Sequence, residues 1–263
     1  MRQAVCPSQC ISLHHNYLAC RRASPDYVCL ASRPPNRLLQ ALPEADYEAL
    51  RPHLEVVVLA RNAVLIEAGD ALTQVYLPHA GAVSMVVNLS EGQTVEVAMI
   101  GRDGVVGAST ALVDGISLSD VVVLFPGTAS TLDTALFRAA AERSAALRNL
   151  LARHEQALIA QAVQSAACNA SHSVEARLSR WLLRARELHD GETLPLTQEL
   201  LAQMIGVQRN AVSIVAHALQ QAGIIRYSRG QIEITNVEAL RRTACECYQT
   251  IQSKHAQLLK MPN

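Results

Sequence analysis

The chain of 263 residues lacks several features that would assign it to a familiar class. No uninterrupted apolar run approaches the ~20 residues that a membrane-spanning helix needs. The first 22 residues contain no apolar stretch of the kind found in signal peptides. The seven cysteines show no paired framework, and a cytosolic chain is expected to keep its thiols reduced. These absences predict a soluble cytoplasmic protein without a membrane partner.

The sequence also lacks the short motifs that mark common catalytic sites. It contains no Gly-rich phosphate loop with lysine, no HExxH pair and no nucleophile elbow. Six of its nine histidines are scattered along the chain without a motif partner: His53, His79, His154, His172, His189 and His217. We therefore predict that the protein is not an enzyme and that it has no cofactor.

The formal net charge of the chain is zero, but the acidic and basic residues are unevenly distributed along it. Residues 36–140 carry a net charge of −7, whereas residues 171–263 carry +3. This change of sign predicts two domains with different partners. A surplus of three positive charges is a weak footprint for a nucleic-acid-binding domain, so the C-terminal partner must be inferred from motifs.

The central region is rich in short β-forming runs. Turn signals separate these runs at Gly69-Asp70, Gly81, Glu91-Gly92, Gly101 to Gly104, Asp114-Gly115 and Pro126-Gly127. Short strands at this spacing, broken by glycine turns, predict a β-sandwich or barrel between Leu54 and about Leu132.

Residues 134–167 contain no glycine or proline and predict one long helix. A stripe with alternating steps of four and three runs along it, formed by Leu147, Leu151, His154, Leu158, Gln161, Ser165 and Cys168. Two interpretations are open: the helix packs on its own β domain, or the stripe is the seam of a dimer. We favour the dimer seam.

The segment "QELLAQMIGVQRNAVSIV" (198–215) has the pattern of a helix-turn-helix. Thr197 can cap the first helix, Gly206 can end it in the left-handed conformation, and Ala202 is small where the second helix crosses. The second helix is predicted from about Gln208 to Gln221. Its polar start can reach base edges in a major groove. The predicted DNA-contacting residues of the motif are Thr197, Gln198, Gln208, Arg209, Asn210 and Ser213.

A hairpin is predicted directly after the helix-turn-helix. Gly223 ends the second helix, and "IIRYSRGQIEI" (224–234) has the pattern of two short strands around a turn. Such a wing would present Arg226 and Arg229 to DNA phosphates. The alternatives are a helical hairpin that only packs a core and a winged domain that serves protein contacts. Because a helix-turn-helix with a wing is more specific than either feature alone, we favour DNA binding.

With a β-rich region, a long helix and a winged motif in this order, the sequence resembles the Crp/Fnr family of bacterial transcription regulators over residues 36–240. The resemblance implies an α+β architecture: a jelly-roll of the cyclic-nucleotide-binding type, a dimer helix and a winged helix-turn-helix. It also implies a homodimer that binds a two-fold site on double-stranded DNA, with RNA polymerase as a further partner.

The resemblance divides the chain into five parts. They are an extension expected to be disordered (1–35), a β-roll sensor domain (36–133), a dimerisation helix (134–170), the DNA-binding domain (171–240) and a helical tail (241–263). The extension contains Cys6, Cys10, His14, His15, Cys20 and Cys29, which could ligate zinc or an iron–sulfur cluster. The cysteine spacings do not match the tight pattern of oxygen-sensing family members. We therefore favour a disordered extension, or a start codon assigned too far upstream, over a metal site.

The effector region departs from the family pattern. Nucleotide-binding members carry a Gly-Glu-Leu turn and a later Arg-Ser or Arg-Thr pair for the cyclic phosphate. The matching residues are Gly107, Ala108 and Ser109, and then Ser119 and Asp120. A carboxylate would repel a phosphate, so we predict that cyclic AMP is not the effector, whose identity stays unknown. The alternative is a sensor gated by a small molecule, a gas or a metal cluster.

Two further departures concern the C-terminal part. The family's common Arg-Glu-Thr-Val at the start of the recognition helix appears as Arg209-Asn210-Ala211-Val212, and Ile214 stands where an arginine is usual. The target sequence should therefore differ from that of the best-known members. Cys245 and Cys247 are placed on one helix, two residues apart, where they would face different sides; we expect them to pack rather than to bind metal.

Overall fold

The computed structural model describes residues 33–113 and 115–259. The cysteines and histidines of the predicted extension lie outside the described residues. Arg33, which was assigned to that extension, belongs to the folded protein: its guanidinium donates to the carbonyl of Leu42 and pairs with Glu44, both at 2.6 Å. Within the described part, no helix is long and apolar enough to cross a membrane.

Two short helices precede the β region, α1 (Arg37–Ala41) and α2 (Glu44–Leu50). Asn36 is fully buried and caps α1 through its side-chain oxygen. Its amide nitrogen donates to the carbonyls of Pro78 and Gly104 at 3.0 and 2.8 Å. This one asparagine therefore attaches the helical segment to the β-roll.

Five antiparallel strands and a short helix form the predicted β-roll, which confirms the fold class. Strand order is β1-β5-β3-β4, and β2 also pairs with β5. The elements are β1 (Glu55–Leu59), β2 (Val64–Ile66), β3 (Gln74–Asn88), β4 (Thr94–Ile100), α3 (Ala108–Val113) and β5 (Asp120–Asp133).

Two predicted turns are wrong, because Gly81 and Pro126-Gly127 lie inside the long strands β3 and β5. The pairing of these strands shifts register around Ala80 and Ala82, and Gly81 has a φ of +78°. A Cβ on Gly127 would lie 2.0 Å from the carbonyl oxygen of Ala80. The glycines allow two backbones to cross closely at a bulge, so a turn-like composition here bends continuous strands.

The predicted single helix over residues 134–167 is in fact two helices, α4 (Thr134–Arg143) and α5 (Ala145–Ser171). Ser144 leaves the helical conformation with φ −110° and ψ 110°. Its hydroxyl accepts from the N–H of Leu147 at 3.0 Å and donates to Asp46 at 2.7 Å. A serine that caps a new helix and bonds to α2 therefore interrupts a segment that contains no glycine or proline.

The predicted dimer seam on α5 faces the interior of the same chain. Leu147, Leu151 and Cys168 have exposed fractions of 4, 1 and 0%, and His154 accepts a hydrogen bond from the Val105 N–H at 3.1 Å. The stripe therefore packs on the chain's own domains, and the assignment of these residues to a dimer seam is wrong. Periodicity finds a buried face without showing what buries it.

The remaining elements form the predicted winged domain and a helical tail. Ser173 caps the first helix as predicted, although that helix ends at Leu188, before Gly191. The bounds are α6 (Val174–Leu188), β6 (Thr193–Leu194), α7 (Gln198–Ile205), α8 (Arg209–Gln221), β7 (Ile225–Ser228), β8 (Gln231–Ile234), α9 (Val237–Thr243) and α10 (Cys247–Leu258).

Cys245 and Cys247 do not share a helix. α9 ends at Thr243 and α10 begins at Cys247, so Cys245 lies in the link between them. Both cysteines are buried, and α10 runs back along α5. The expectation that the two thiols face different sides is therefore wrong, because it assumed an unbroken helix.

One apolar core joins the β-roll to the winged domain. Met99 and Phe125 of the β-roll belong to the same buried cluster as Leu182 and Leu201 of the winged domain. Trp181 on α6, which is the chain's one tryptophan and 2% exposed, donates from its indole nitrogen to the Glu96 carboxylate of β4 at 2.8 Å. The second carboxylate oxygen accepts from the Ser84 hydroxyl.

A buried ion pair reinforces this contact. Arg184 on α6 lies 2.7 Å from the carboxylate of Asp103, which belongs to the loop after β4. Burial of Asp103 works against ionisation, but the Arg184 guanidinium outweighs it and lowers the pKa of Asp103 to about 2. Arg184 also donates to the Met99 carbonyl at 3.2 Å. The winged domain is thus held on the β-roll by apolar contacts, hydrogen bonds and a charge pair.

Glu96→Gln is expected to remove a pH-dependent loss of stability. Burial raises the pKa of Glu96 from 4.5 to about 7. The protonated Glu96 side chain contributes its full stabilisation below 4.5, the pKa of this group in the unfolded chain. The free energy of unfolding therefore falls as the pH rises from 4.5 through about 7. Glutamine can keep both hydrogen bonds without a charge. Urea unfolding followed by Trp181 fluorescence, at about pH 5 and about pH 8, should show a larger fall for the wild type, by up to ~3 kcal/mol. Equal pH slopes would contradict this.

Candidate nucleic-acid interface

The helix-turn-helix forms as the sequence predicts. The Thr197 hydroxyl caps α7 by accepting from the Leu200 N–H at 3.1 Å. Gly206 ends α7 in the left-handed conformation, with φ 63° and ψ 51°. Ala202 is 3% exposed, and its carbonyl accepts from the Val207 N–H at 3.0 Å. The small side chain and the left-handed glycine together set the angle at which α8 leaves α7.

Gly206 also touches the β-roll. A Cβ at this position would lie 3.3 Å from a methyl group of Val95 on β4. The turn of the motif is therefore packed against the β-roll as well as constrained by its own backbone.

The first turns of α8 present a polar, exposed surface. Arg209 and Asn210 are exposed, and within the described part of the chain the Arg209 guanidinium has no hydrogen bond or ion pair. Ile214 is 70% exposed, and His217, one turn further, is exposed on the same face. Arginine and asparagine are the side chains that read guanine and adenine edges, and an apolar side chain can contact a thymine methyl group.

Two of the predicted contact residues bind each other. The Ser213 hydroxyl lies 2.5 Å from the side-chain oxygen of Gln198 and 3.1 Å from the carbonyl of Arg209. This hydrogen bond joins the start of α7 to α8 and fixes the position of the two helices relative to each other. Gln208 is exposed at the N-cap position of α8, and its side chain makes no capping hydrogen bond.

The wing is a hairpin of β7 and β8, extended by β6 into three strands. Its two-residue turn is Arg229-Gly230, with φ values of 50° and 73°. Two consecutive positive φ values are typical of the type I′ turn that suits the twist of a hairpin. A Cβ on Gly230 would lie 3.6 Å from the Thr197 methyl group, so the wing tip stands beside the start of α7.

The two wing arginines differ in their partners. Arg226 forms an ion pair with Glu233 at 2.7 Å. Arg229 is exposed at the tip and has no such partner among the residues that the structure describes. Arg229 therefore presents the freer positive charge.

The predicted effector residues are only partly brought together. Gly107, Ser109 and Ser119 line a cavity of about 210 Å³ between the β-roll and α5. Ala108 is buried at the start of α3 and Asp120 begins β5, and neither lines that cavity. The Asp120 carboxylate accepts from the Ala68 N–H at 2.6 Å and from the Asn88 amide. The Asp120 carboxylate is therefore bonded within the β-roll and does not line this cavity.

The sequence analysis did not place His217 on the exposed face of α8, and it treated Ile214 only as a departure from a family pattern. Both could have been found by continuing the exposed face of α8 in steps of three and four from Asn210.

The β-roll and the winged helix-turn-helix on one chain define the class of a cyclic-nucleotide-binding-type β domain joined to a DNA-binding domain. Two family models support this class: the cyclic nucleotide-binding domain matches residues 56–144, and the Crp-like helix-turn-helix domain matches residues 176–243. Together the matches cover more than half of the chain. No curated protein is similar enough to count as a match.

Solved structures share this fold at low sequence identity. FixK2 from Bradyrhizobium japonicum is 17% identical, with a TM-score of 0.63 over 73% of this chain and 98% of that chain. A CRP/FNR-family regulator from Thermus thermophilus is 21% identical, with a TM-score of 0.62 over 72% and 98%. The c-di-GMP-responsive regulator CLP from Xanthomonas campestris is 15% identical, with a TM-score of 0.61 over 73% and 99%.

The chain therefore belongs to the Crp/Fnr family of transcription regulators, as the sequence analysis predicted.

Gly206→Ala should destabilise the protein more than Gly223→Ala. The two glycines have nearly the same φ, 63° and 68°, so both variants place alanine in the left-handed region at a cost of about 1 kcal/mol. Only at Gly206 does the added methyl group meet Val95, whereas nothing lies within 4 Å at Gly223. We expect a loss of about 2 kcal/mol for Gly206→Ala, measured by urea unfolding. Equal losses would show that Val95 yields without cost.

Proposed function

We propose that the protein is a sequence-specific transcription regulator that binds a two-fold site on double-stranded DNA as a homodimer, without cyclic AMP. The observation that supports DNA binding best is the exposed start of α8, where Arg209 has no partner in the described chain and Asn210 stands beside it. The wing tip with Arg229 lies next to the start of α7. RNA polymerase is the further partner that the family membership indicates.

The residues divide into base-reading and phosphate-binding groups. Arg209 lies in the first turn of α8, where side chains reach base edges, and its planar fork can pair with guanine through two hydrogen bonds. Asn210 can pair with adenine, and Ile214 can contact a thymine methyl group. Arg229 projects from the wing, beside the groove, where phosphates are nearest. Arg226 should contribute less, because Glu233 already neutralises it.

Independence from cyclic AMP is supported by the chemistry of the cavity between the β-roll and α5. Among the described residues that line it, no side chain is basic and Glu155 is the one charged group. Its volume of about 210 Å³ is below the ~300–1,000 Å³ of ordinary ligand pockets. A cyclic phosphate would find no cation here and would lie near a carboxylate. An effector that enters without rearrangement has to be small.

A dimer seam is supported by a second stripe on α5, on the face opposite the buried one. Ile159 and Val163 are 62 and 63% exposed and lie one turn apart on the same face of the helix. The stripe follows steps of four and three, and all its members are exposed: Ala152, Gln156, Ile159, Val163, Ala166 and Ala170. This spacing is that of a two-helix coiled coil, and the small alanines allow close approach. We commit to a second copy of the chain as the partner.

Arg209→Ala and Arg229→Ala should affect DNA binding differently. Binding sites are first selected from random duplexes with the full chain. Arg209→Ala is expected to weaken the selected site by about 1–3 kcal/mol, and random DNA by less. Arg229→Ala should weaken all duplexes alike and reduce the salt slope by about one unit, because it removes a phosphate contact. Fluorescence anisotropy with labelled duplexes measures both effects.

Arg226→Ala is the matched control on the wing and should change the affinity less than Arg229→Ala. The wild type should bind its site without an added nucleotide, and cyclic AMP should leave the affinity unchanged. The footprint should show two half-sites about one helical turn apart. If Arg209→Ala kept the full preference for the selected site, α8 would not be the base-reading helix. If the wild type needed cyclic AMP to bind, the proposed independence from cyclic AMP would be wrong.

Val163→Glu should convert the dimer to a monomer, because it places a charge in the apolar seam. Val58→Glu is the control, since Val58 is also an exposed valine, 78% exposed, but lies on β1. Light scattering at micromolar concentration measures the mass. If both variants stay dimeric, or if the wild type is monomeric, the outer stripe of α5 is not the interface.

A further inference from the structure

Three thiols and an imidazole meet at the junction of the long helix and the winged domain. Cys168 and His172 come from the end of α5, and Cys245 and Cys247 come from the break between α9 and α10. The sulfurs of Cys168 and Cys245 are 3.5 Å apart, and the Cys247 sulfur lies 3.6 Å from Nδ1 of His172. All four potential ligand atoms lie within 4.8 Å of one another.

Local structure explains why these side chains converge. Cys168 and His172 are four residues apart on α5, so they share one face of the helix, and the His172 N–H still donates to the Cys168 carbonyl at 3.0 Å. The non-helical link at Cys245 lets it and Cys247 turn toward the same point. α10 then packs along α5, which brings residues from far apart in the sequence together.

The distances fit a single tetrahedral ion. Zinc bonds of ~2.3 Å to sulfur and ~2.0–2.1 Å to nitrogen place neighbouring ligands about 3.5–3.8 Å apart. The two contacts of 3.5 and 3.6 Å match this value, and the remaining separations need only small side-chain adjustments. We propose that Cys168, His172, Cys245 and Cys247 form a structural Cys₃His site for a divalent metal ion of the zinc type.

The surroundings of His172 support this assignment. Its other ring nitrogen, Nε2, lies 3.2 Å from the carboxylate of Glu246. A carboxylate on the far nitrogen orients the ring and makes the near nitrogen a better ligand, as in carboxylate–histidine–zinc triads. The Gln164 amide donates a hydrogen bond to the Cys247 sulfur at 3.1 Å, and this donor would stabilise a Cys247 thiolate.

The charge balance gives an independent argument. Arg177 and Arg180 are each 8% exposed, and neither forms an ion pair with a carboxylate in the described part of the chain. Both interact electrostatically with the thiols: Arg180 with Cys168, and Arg177 with Cys168 and Cys245. Buried charges need partners. A divalent ion with three thiolates and a neutral imidazole carries one negative charge, which would offset one of these two positive charges.

An iron–sulfur cluster fits less well, because it distributes its ligands over two or more iron atoms and so separates them further. The location indicates a structural role. His172 is the C-cap of α5 and Ser173 is the N-cap of α6, so the site lies where the long helix meets the winged domain. A metal ion there would tie α10 to this junction. This proposal does not depend on DNA binding.

Metal analysis of the purified full chain tests the site. We expect about one zinc per chain, and less than half of that in Cys168→Ser, Cys245→Ser and Cys247→Ser. The control replaces Cys6, Cys10, Cys20 and Cys29 with serine together and should keep its zinc. Cobalt loaded in place of zinc should give the visible bands of a tetrahedral thiolate site. Zinc that follows the N-terminal cysteines instead would overturn the proposal.

Glu246→Gln provides the test that does not risk misfolding, because this carboxylate is 73% exposed. Its loss should lower zinc affinity by about 10–100-fold in a chelator competition, with unchanged circular dichroism. Glu238→Gln on α9 is the control, because its carboxylate is 69% exposed, and it should leave the affinity unchanged. No zinc in the wild type, a disulfide between Cys168 and Cys245 in its place, or unchanged affinity in Glu246→Gln would each contradict the assignment.

Discussion

The contact between strand β4 and helix α6 holds the two domains in one arrangement. Trp181 donates to the buried Glu96 carboxylate, and apolar side chains from both domains close around that hydrogen bond. Because the carboxylate is buried, the contact tolerates little movement: separation of the domains would leave the indole nitrogen and the carboxylate without their partners. The placement of the helix-turn-helix follows from it, since Gly206 packs on Val95 of the same strand.

Helix α5 contacts the β-roll, lines the cavity beside it and ends at the start of the winged domain. Its inner stripe forms core contacts and, through His154, holds the Val105 backbone of the β-roll. Its outer stripe includes Ile159, which also lines the cavity between the β-roll and α5. A ligand in that cavity would therefore touch the proposed dimer seam directly. At its C-terminal end, α5 supplies two members of the thiol–imidazole cluster, at the point where the winged domain begins.

The thiol–imidazole cluster and the interface between the two domains both hold helix α6. α6 is held at its start by the junction with α5 and along its length by Trp181 and Arg184. Two attachment points on one helix fix its orientation as well as its position. In this arrangement the exposed face of α8 points away from the β-roll contacts, which leaves Arg209 and Asn210 accessible.

The sequence by itself determined the features that arise from local rules. Thr197, Gly206 and the Arg229-Gly230 turn could be identified because caps, left-handed glycines and tight turns depend on neighbouring residues alone. The tertiary structure decided what lies against each element. It placed the Leu147–Cys168 stripe inside the chain, continued two strands through Gly81 and Gly127, and gave Asp120 partners in the β-roll. It also brought Cys245 and Cys247 to Cys168 and His172, which are over 70 residues earlier in the chain. Periodicity shows that a face is buried, and composition shows that a chain can bend; which segment covers the face or crosses the bend depends on contacts between residues far apart in sequence.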